Sequence, residues 1–163
     1  MTSLSRNTVQ EINKIRTRFP ESHQKSALLP ALHLAQAEHG WLPVEVMNEI
    51  AEILELQNIE VYEVATFYTM YHVKPVGKYV IEVCRTGPCC TLGAEELIHY
   101  MEDQLGIQVG ETTSDKLFTL KTVECLASCG TGPVMQIGPD YVYQENLTKE
   151  KFDHLVDELR KKS

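Results

Sequence analysis

The chain has 163 residues, 43% hydrophobic, 23% charged and 7% aromatic, with 15 Lys and Arg against 23 Asp and Glu for a formal net charge of −8. That apolar fraction builds a real core and excludes wholesale disorder, and the length suits one domain or two small ones. The acidity argues against nucleic acid, whose phosphates call for clustered Lys and Arg.

The first 75 residues hold no cysteine and read as helices. Val9, Ile12, Ile15 and Phe19 recur at helical spacing until Pro20 stops the run. A second helix is expected over Ser26 to Glu38, with Leu28, Leu29, Leu32, Ala35 and Ala37 as core. Pro30 marks its start or a kink, and Gly40 suits its C-cap. Pro43 fits the first turn of a third helix, whose inner face is Val44, Met47, Ile50, Ala51 and Leu54. A fourth is expected from about Glu60 to His72, broken by Pro75-Val76-Gly77. Short connections between such helices imply a small bundle of antiparallel neighbours.

After Gly77 the period changes. Lys78 to Cys84 reads as a buried strand, Ala94 to Leu105 as a helix, and Leu117 to Val123 as a second strand. The crossover is long enough to make these strands parallel. Val134 to Ile137 and Tyr141 to Gln144 are short strands joined through Gly138-Pro139-Asp140. Thr148 can cap a last helix carrying Phe152, Leu155, Val156 and Leu159 on one face. The fold class expected is α+β: an N-terminal helical bundle over residues 1–76, then a thioredoxin-like α/β domain over 77–163.

No segment approaches the roughly 18 apolar residues of a bilayer span. Met1 to Arg6 is polar, without the apolar core of a signal peptide, so a cytoplasmic chain with reduced thiols is expected. All five cysteines fall in the second half, at Cys84, Cys89, Cys90, Cys125 and Cys129. Four of them form a C-x4-C and a C-x3-C pair separated by 35 residues, and each pair begins where an expected strand ends. Parallel neighbours would bring both pairs out at one sheet edge, converging four thiolates from two loops. Zinc suits the x3 pair and strains at the x4 pair, whereas a four-residue spacer is a ligand spacing of plant-type [2Fe–2S] clusters. The small residues of Arg85-Thr86-Gly87-Pro88 and Gly130-Thr131-Gly132-Pro133 read as flexible loops able to bring backbone N–H groups near sulfide. Buried or redox-active thiols are the remaining reading, although no C-x-x-C occurs. Cys90 is a spare thiol, and the six histidines show no ligand spacing. There is no nucleotide-binding glycine motif.

The segment Val61-Tyr62-Glu63-Val64-Ala65-Thr66-Phe67-Tyr68-Thr69-Met70-Tyr71, then Lys74-Pro75-Val76-Gly77-Lys78-Tyr79, resembles the E-subunit family of NADH–quinone oxidoreductase, respiratory complex I. Leu29-Pro30-Ala31-Leu32, Gly40-Trp41-Leu42-Pro43 and Gly132-Pro133-Val134-Met135-Gln136-Ile137 agree with it, as do the paired cysteines. The resemblance implies one [2Fe–2S] cluster on Cys84, Cys89, Cys125 and Cys129. It further implies docking on a flavin subunit that binds FMN and NADH, beside other subunits of a peripheral arm, without membrane insertion. Single electrons would pass between flavin and cluster, and the isolated chain would not oxidise NADH. The same module serves NAD-reducing hydrogenases and some formate dehydrogenases as a diaphorase subunit. The lack of a fused domain after Ser163 favours complex I, and a zinc-stabilised interaction module is a third reading. Two departures stand out: Ala127 where the family often has glycine, and Cys90 where it often has methionine.

Overall fold

A computed structural model describes residues 3–162, as two compact units that meet in the chain at Pro75 and Val76. The first holds helices α1 (Arg6–Arg16), α2 (Leu28–His39), α3 (Val44–Leu54) and α4 (Asn58–Phe67), with a 3-10 segment at Glu21–Ala27. Ser5 caps α1 by accepting the Thr8 N–H, and Gly40 ends α2 at φ 78°, a conformation other residues adopt only with strain. Pro30 is the third residue of α2, where a missing N–H costs no helical bond, so the helix starts there without a kink. The core is Ile12 from α1, Leu32 and Ala35 from α2, Met47, Ile50 and Ala51 from α3, and Val61 and Ala65 from α4.

Four expectations need correcting, the first being Ala37, which is exposed rather than part of the core. The second helix begins at Leu28 rather than Ser26, because the chain from Glu21 winds as a tighter 3-10 segment. Val44 is 49% exposed and Val46 is buried instead, since Pro43 is the N-cap and not part of the first turn. The fourth helix stops at Phe67, with Tyr68 extended at φ −88° and ψ 121°. A clamp from α2 accounts for this end. Gln36 Nε2 donates to the Met70 carbonyl at 2.8 Å, and Gln36 Oε1 accepts the His72 N–H at 2.7 Å. Tyr71 turns inward and donates its hydroxyl to the Leu29 carbonyl at 2.9 Å.

The second unit is a four-stranded sheet of β1 (Tyr79–Cys84), β2 (Phe118–Val123), β3 (Met135–Ile137) and β4 (Val142–Gln144), in the order β2-β1-β3-β4. β1 and β2 are parallel; β3 runs antiparallel to β1, and β4 to β3. A short helix α5 (Gly87–Thr91) and α6 (Ala94–Leu105) fill the crossover, and α7 (Lys149–Lys161) closes the chain. Ile81, Val83, Phe118, Leu120, Met135 and Ile137 make one core with α6 residues Leu97 and Met101 and α7 residues Phe152 and Val156. The free side of β2 is covered by its own approach segment: the Gly110 N–H donates to the Leu120 carbonyl at 2.7 Å, and Thr113 N–H to the Phe118 carbonyl at 2.9 Å. Just before β1, Gly77 lies against the Leu117–Phe118 backbone, where an added Cβ would fall 2.8 Å from a main-chain carbon. Its N–H donates to Thr119 Oγ1 at 2.6 Å. Among the described residues no helix is long and apolar enough to cross a membrane.

Candidate metal centre

The parallel register sets Cys84, the last residue of β1, opposite Val123, the last of β2. Both strands therefore release their cysteine-bearing loops at one edge. Cys84 and Cys89 are buried there, while Cys125 and Cys129 are exposed and Cys90 is half-buried; all five are free thiols. The segment expected as a flexible loop around Gly87-Pro88 is instead α5, with Thr86 at its N-cap and Pro88 in its first turn. A Thr at the cap with Pro two residues on is a helix-start signal, but five residues offer no apolar period to confirm it. The helix points the Cys90 thiol away from its neighbour, to donate to the Arg85 carbonyl at 3.2 Å. Arg85 itself is exposed.

Burial acts to raise the Cys84 thiol, but the Thr86 hydroxyl and N–H, the Leu126 N–H and the Cys89 thiol all hydrogen-bond it and bring it below the ordinary range. Burial raises Cys89, as does the Cys84 thiolate beside it, with a smaller push from Cys129. Of the two buried sulfurs, Cys84 is thus the readier thiolate. In the second loop the Ala127 N–H donates to Cys125 Sγ at 3.3 Å, with Ala127 at φ 56°. Alanine here, where the resemblance led one to expect glycine, sits in the left-handed region at a cost of about 1 kcal/mol.

Among the described residues no three His, Cys, Asp or Glu side chains already stand together as a closed metal site. The pair Cys84 and Cys89 is assembled, Cys129 lies within electrostatic reach of Cys89, and Cys125 turns to its own loop. The surroundings fit a sulfur-ligated group in two respects. Backbone N–H groups aim at sulfur from both loops, the donor chemistry that stabilises thiolates on a metal. Gly132 supplies clearance: a Cβ there would come 3.4 Å from Cys89 Sγ and 3.0 Å from Leu92 Cδ1.

A brace that sequence reasoning missed fixes the second loop. Ser128 and Thr131 both donate their hydroxyls to Glu145 Oε1, at 2.5 and 2.7 Å. These bonds hold the Glu145 carboxyl below the usual range. Its contribution is therefore present at neutral pH and lost only as pH falls through that depressed value. Glu145→Ala is expected to speed loss of a bound centre about 10-fold, read as bleaching under a chelator, while Glu145→Gln keeps the acceptor and most of the retention.

A short parallel strand pair that releases two cysteine-bearing loops at one edge, with α6 and α7 packed on one face of the sheet, is a thioredoxin-like frame carrying four thiols for a metal centre. Residues 12–160 match the thioredoxin-like [2Fe-2S] ferredoxin family, and the chain belongs to it. Its relatives narrow this further. It is 44% identical over 151 residues to the second NADH-quinone oxidoreductase E-subunit of Rhizobium meliloti, covering 93% of this chain and 88% of that one. To the corresponding E-subunit of Rickettsia felis it is 46% identical over 142 residues, covering 86% and 84%. In three dimensions it resembles a crystallised NAD+-reducing [NiFe]-hydrogenase at TM-score 0.73 and 21% identity, over 83% of this chain and 23% of that chain. That last likeness is one of fold.

Proposed function

We propose that this chain is the electron-transfer subunit of NADH–quinone oxidoreductase, holding one [2Fe–2S] cluster on Cys84, Cys89, Cys125 and Cys129. The observation that carries the reading is the parallel register that opens both cysteine pairs at one sheet edge. The near full-length similarity to E-subunits of that oxidoreductase supports it. When bound, the cluster takes up and returns one electron at a time, the steps into which a flavin divides the two electrons of a hydride.

The residues of the chain prepare a place for that exchange. Cys84 and Cys89 anchor one side away from water, and the lowered Cys84 thiol needs little help to ionise. Cys125 and Cys129, exposed on the second loop, would supply the other two thiolates near the surface, where an electron could cross to a partner. The N–H groups of Leu126 and Ala127 favour thiolate over thiol and so stabilise negative charge on sulfur. No side chain is called on as acid, base or nucleophile. The partner is the flavin-bearing subunit with FMN and NADH, residues 1–76 serve as a docking region and 77–163 as the cluster domain, and the assembly lies on the cytoplasmic side as a peripheral arm. The test is co-purification with a flavin subunit followed by EPR after NADH addition. One reduced [2Fe–2S] signal is expected in the complex and none from the chain alone with NADH. Colourless protein carrying one zinc would overturn the assignment, and a hydrogenase as the co-purifying partner would move the chain to the diaphorase reading.

A further inference from the structure

Glu82 lies in β1 with 2% of its surface exposed. A carboxylate at that depth is costly unless partners replace its water. Gln136 Nε2 donates to its Oε2 at 2.6 Å, and Lys121 Nζ stands 3.7 Å from Oε1, which accepts no hydrogen bond. The register sets these residues in one row across the sheet. Lys121 on β2 and Gln136 on β3 are the partners of Glu82, and Tyr143 on β4 is the partner of Gln136. At the far end the Tyr143 hydroxyl donates to the Leu126 carbonyl at 3.0 Å, inside the loop between Cys125 and Cys129. Residues two apart along a strand share a face at roughly 7 Å. Glu82 and Cys84 are such a pair, while Ile81 and Val83 on the opposite face belong to the core beneath α6 and α7.

We propose that the Glu82–Lys121 pair sets the reduction potential of the centre held at Cys84, the carboxylate lowering it and the ammonium raising it. Adding an electron there makes the site more negative, and a fixed negative charge one step along the same strand face opposes that addition. The Glu82 side chain is 3% exposed and that of Lys121 is 26% exposed, so water screens the ammonium more than the carboxylate. The carboxylate therefore has the larger effect. The proposal rests on the ligand assignment above.

The experiment is a redox titration of the cluster-loaded chain at one pH, followed by EPR and absorption, for the wild type, Glu82→Gln, Lys121→Met and the double variant. Glu82→Gln is expected to shift the midpoint upward and Lys121→Met to shift it downward by less, with the double variant between them. A purely structural role would move both variants in one direction, and that result, or no shift in either, overturns the proposal. Should Glu82→Gln fail to fold, Lys121→Arg and Lys121→Met decide: an unchanged midpoint in the first with a lowered one in the second supports the proposal, and equal midpoints overturn it. Retention of the centre in Cys84→Ala overturns the ligand assignment and this proposal together, whereas unshifted potentials with Cys84 required overturn this proposal alone.

Discussion

Cys84→Ala or Cys89→Ala abolishes the visible absorption and the EPR signal of the reduced chain, whereas Cys90→Ala leaves both. The two buried thiols hydrogen-bond each other and each has backbone donors of its own, Thr86 and Leu126 for Cys84 and Val134 for Cys89, so on the proposed assignment each removal deletes a ligand from the most organised half of the site. Cys90 is not expected to take over, because its thiol donates to the Arg85 carbonyl. Cys125→Ala and Cys129→Ala are expected to lose or damage the cluster too. Those thiols face solvent, so a water molecule can occupy the vacated position and leave a labile remnant rather than a clean loss. Iron and sulfide analysis with absorption spectra checks the series, and cluster loss from Cys90→Ala equal to that from Cys89→Ala would falsify the ligand set.

Gly77→Ala destabilises the second unit by about 3 kcal/mol, the upper end of what an added methyl costs in a packed site. The clash is with backbone: three main-chain atoms of Leu117 and Phe118 lie within 2.9 Å of the added carbon. Neither residue can yield without shifting β2 from β1, whose pairing starts at Tyr79 opposite Phe118. The same movement breaks the Gly77 N–H bond to Thr119. A fall in Tm of roughly 15 °C follows for a unit of this size, measured by circular dichroism. Gly87→Ala is the control, because nothing lies within 4 Å of its added carbon. An equal fall in the control would show that the close approach at Gly77 is not the cause.

Much of this architecture is legible in the sequence, and the exceptions have identifiable causes. Strand period, helix period and crossover length yield the parallel pair β1 and β2 and the span of α6, and from these the common edge for the cysteines follows. Residues whose position depends on distant partners are the ones that mislead. Tyr68 and Tyr71 continue a helical pattern locally, and distant partners such as Gln36, 34 residues from Met70, hold that segment out of the helix. Helix α5 escapes notice because Gly-Pro-Cys-Cys-Thr has no apolar face of its own. Glu82 looks like an ordinary member of a buried strand, and its significance needs the register that brings Lys121 and Gln136 alongside. Glu145 meets Ser128 and Thr131 only once β4 has returned beside β3.

The division of the chain at Pro75 also sets an order of events during synthesis. The helical unit carries its own core and contains no cysteine, and the first thiol, Cys84, follows it in the chain. At about 5–20 residues per second, that unit leaves the ribosome seconds before the last thiol, Cys129, is made. The helical unit can therefore be folded while the second half is still without metal. Iron shortage would then yield chains with an intact first unit and an empty second one, folded in part and unable to pass an electron.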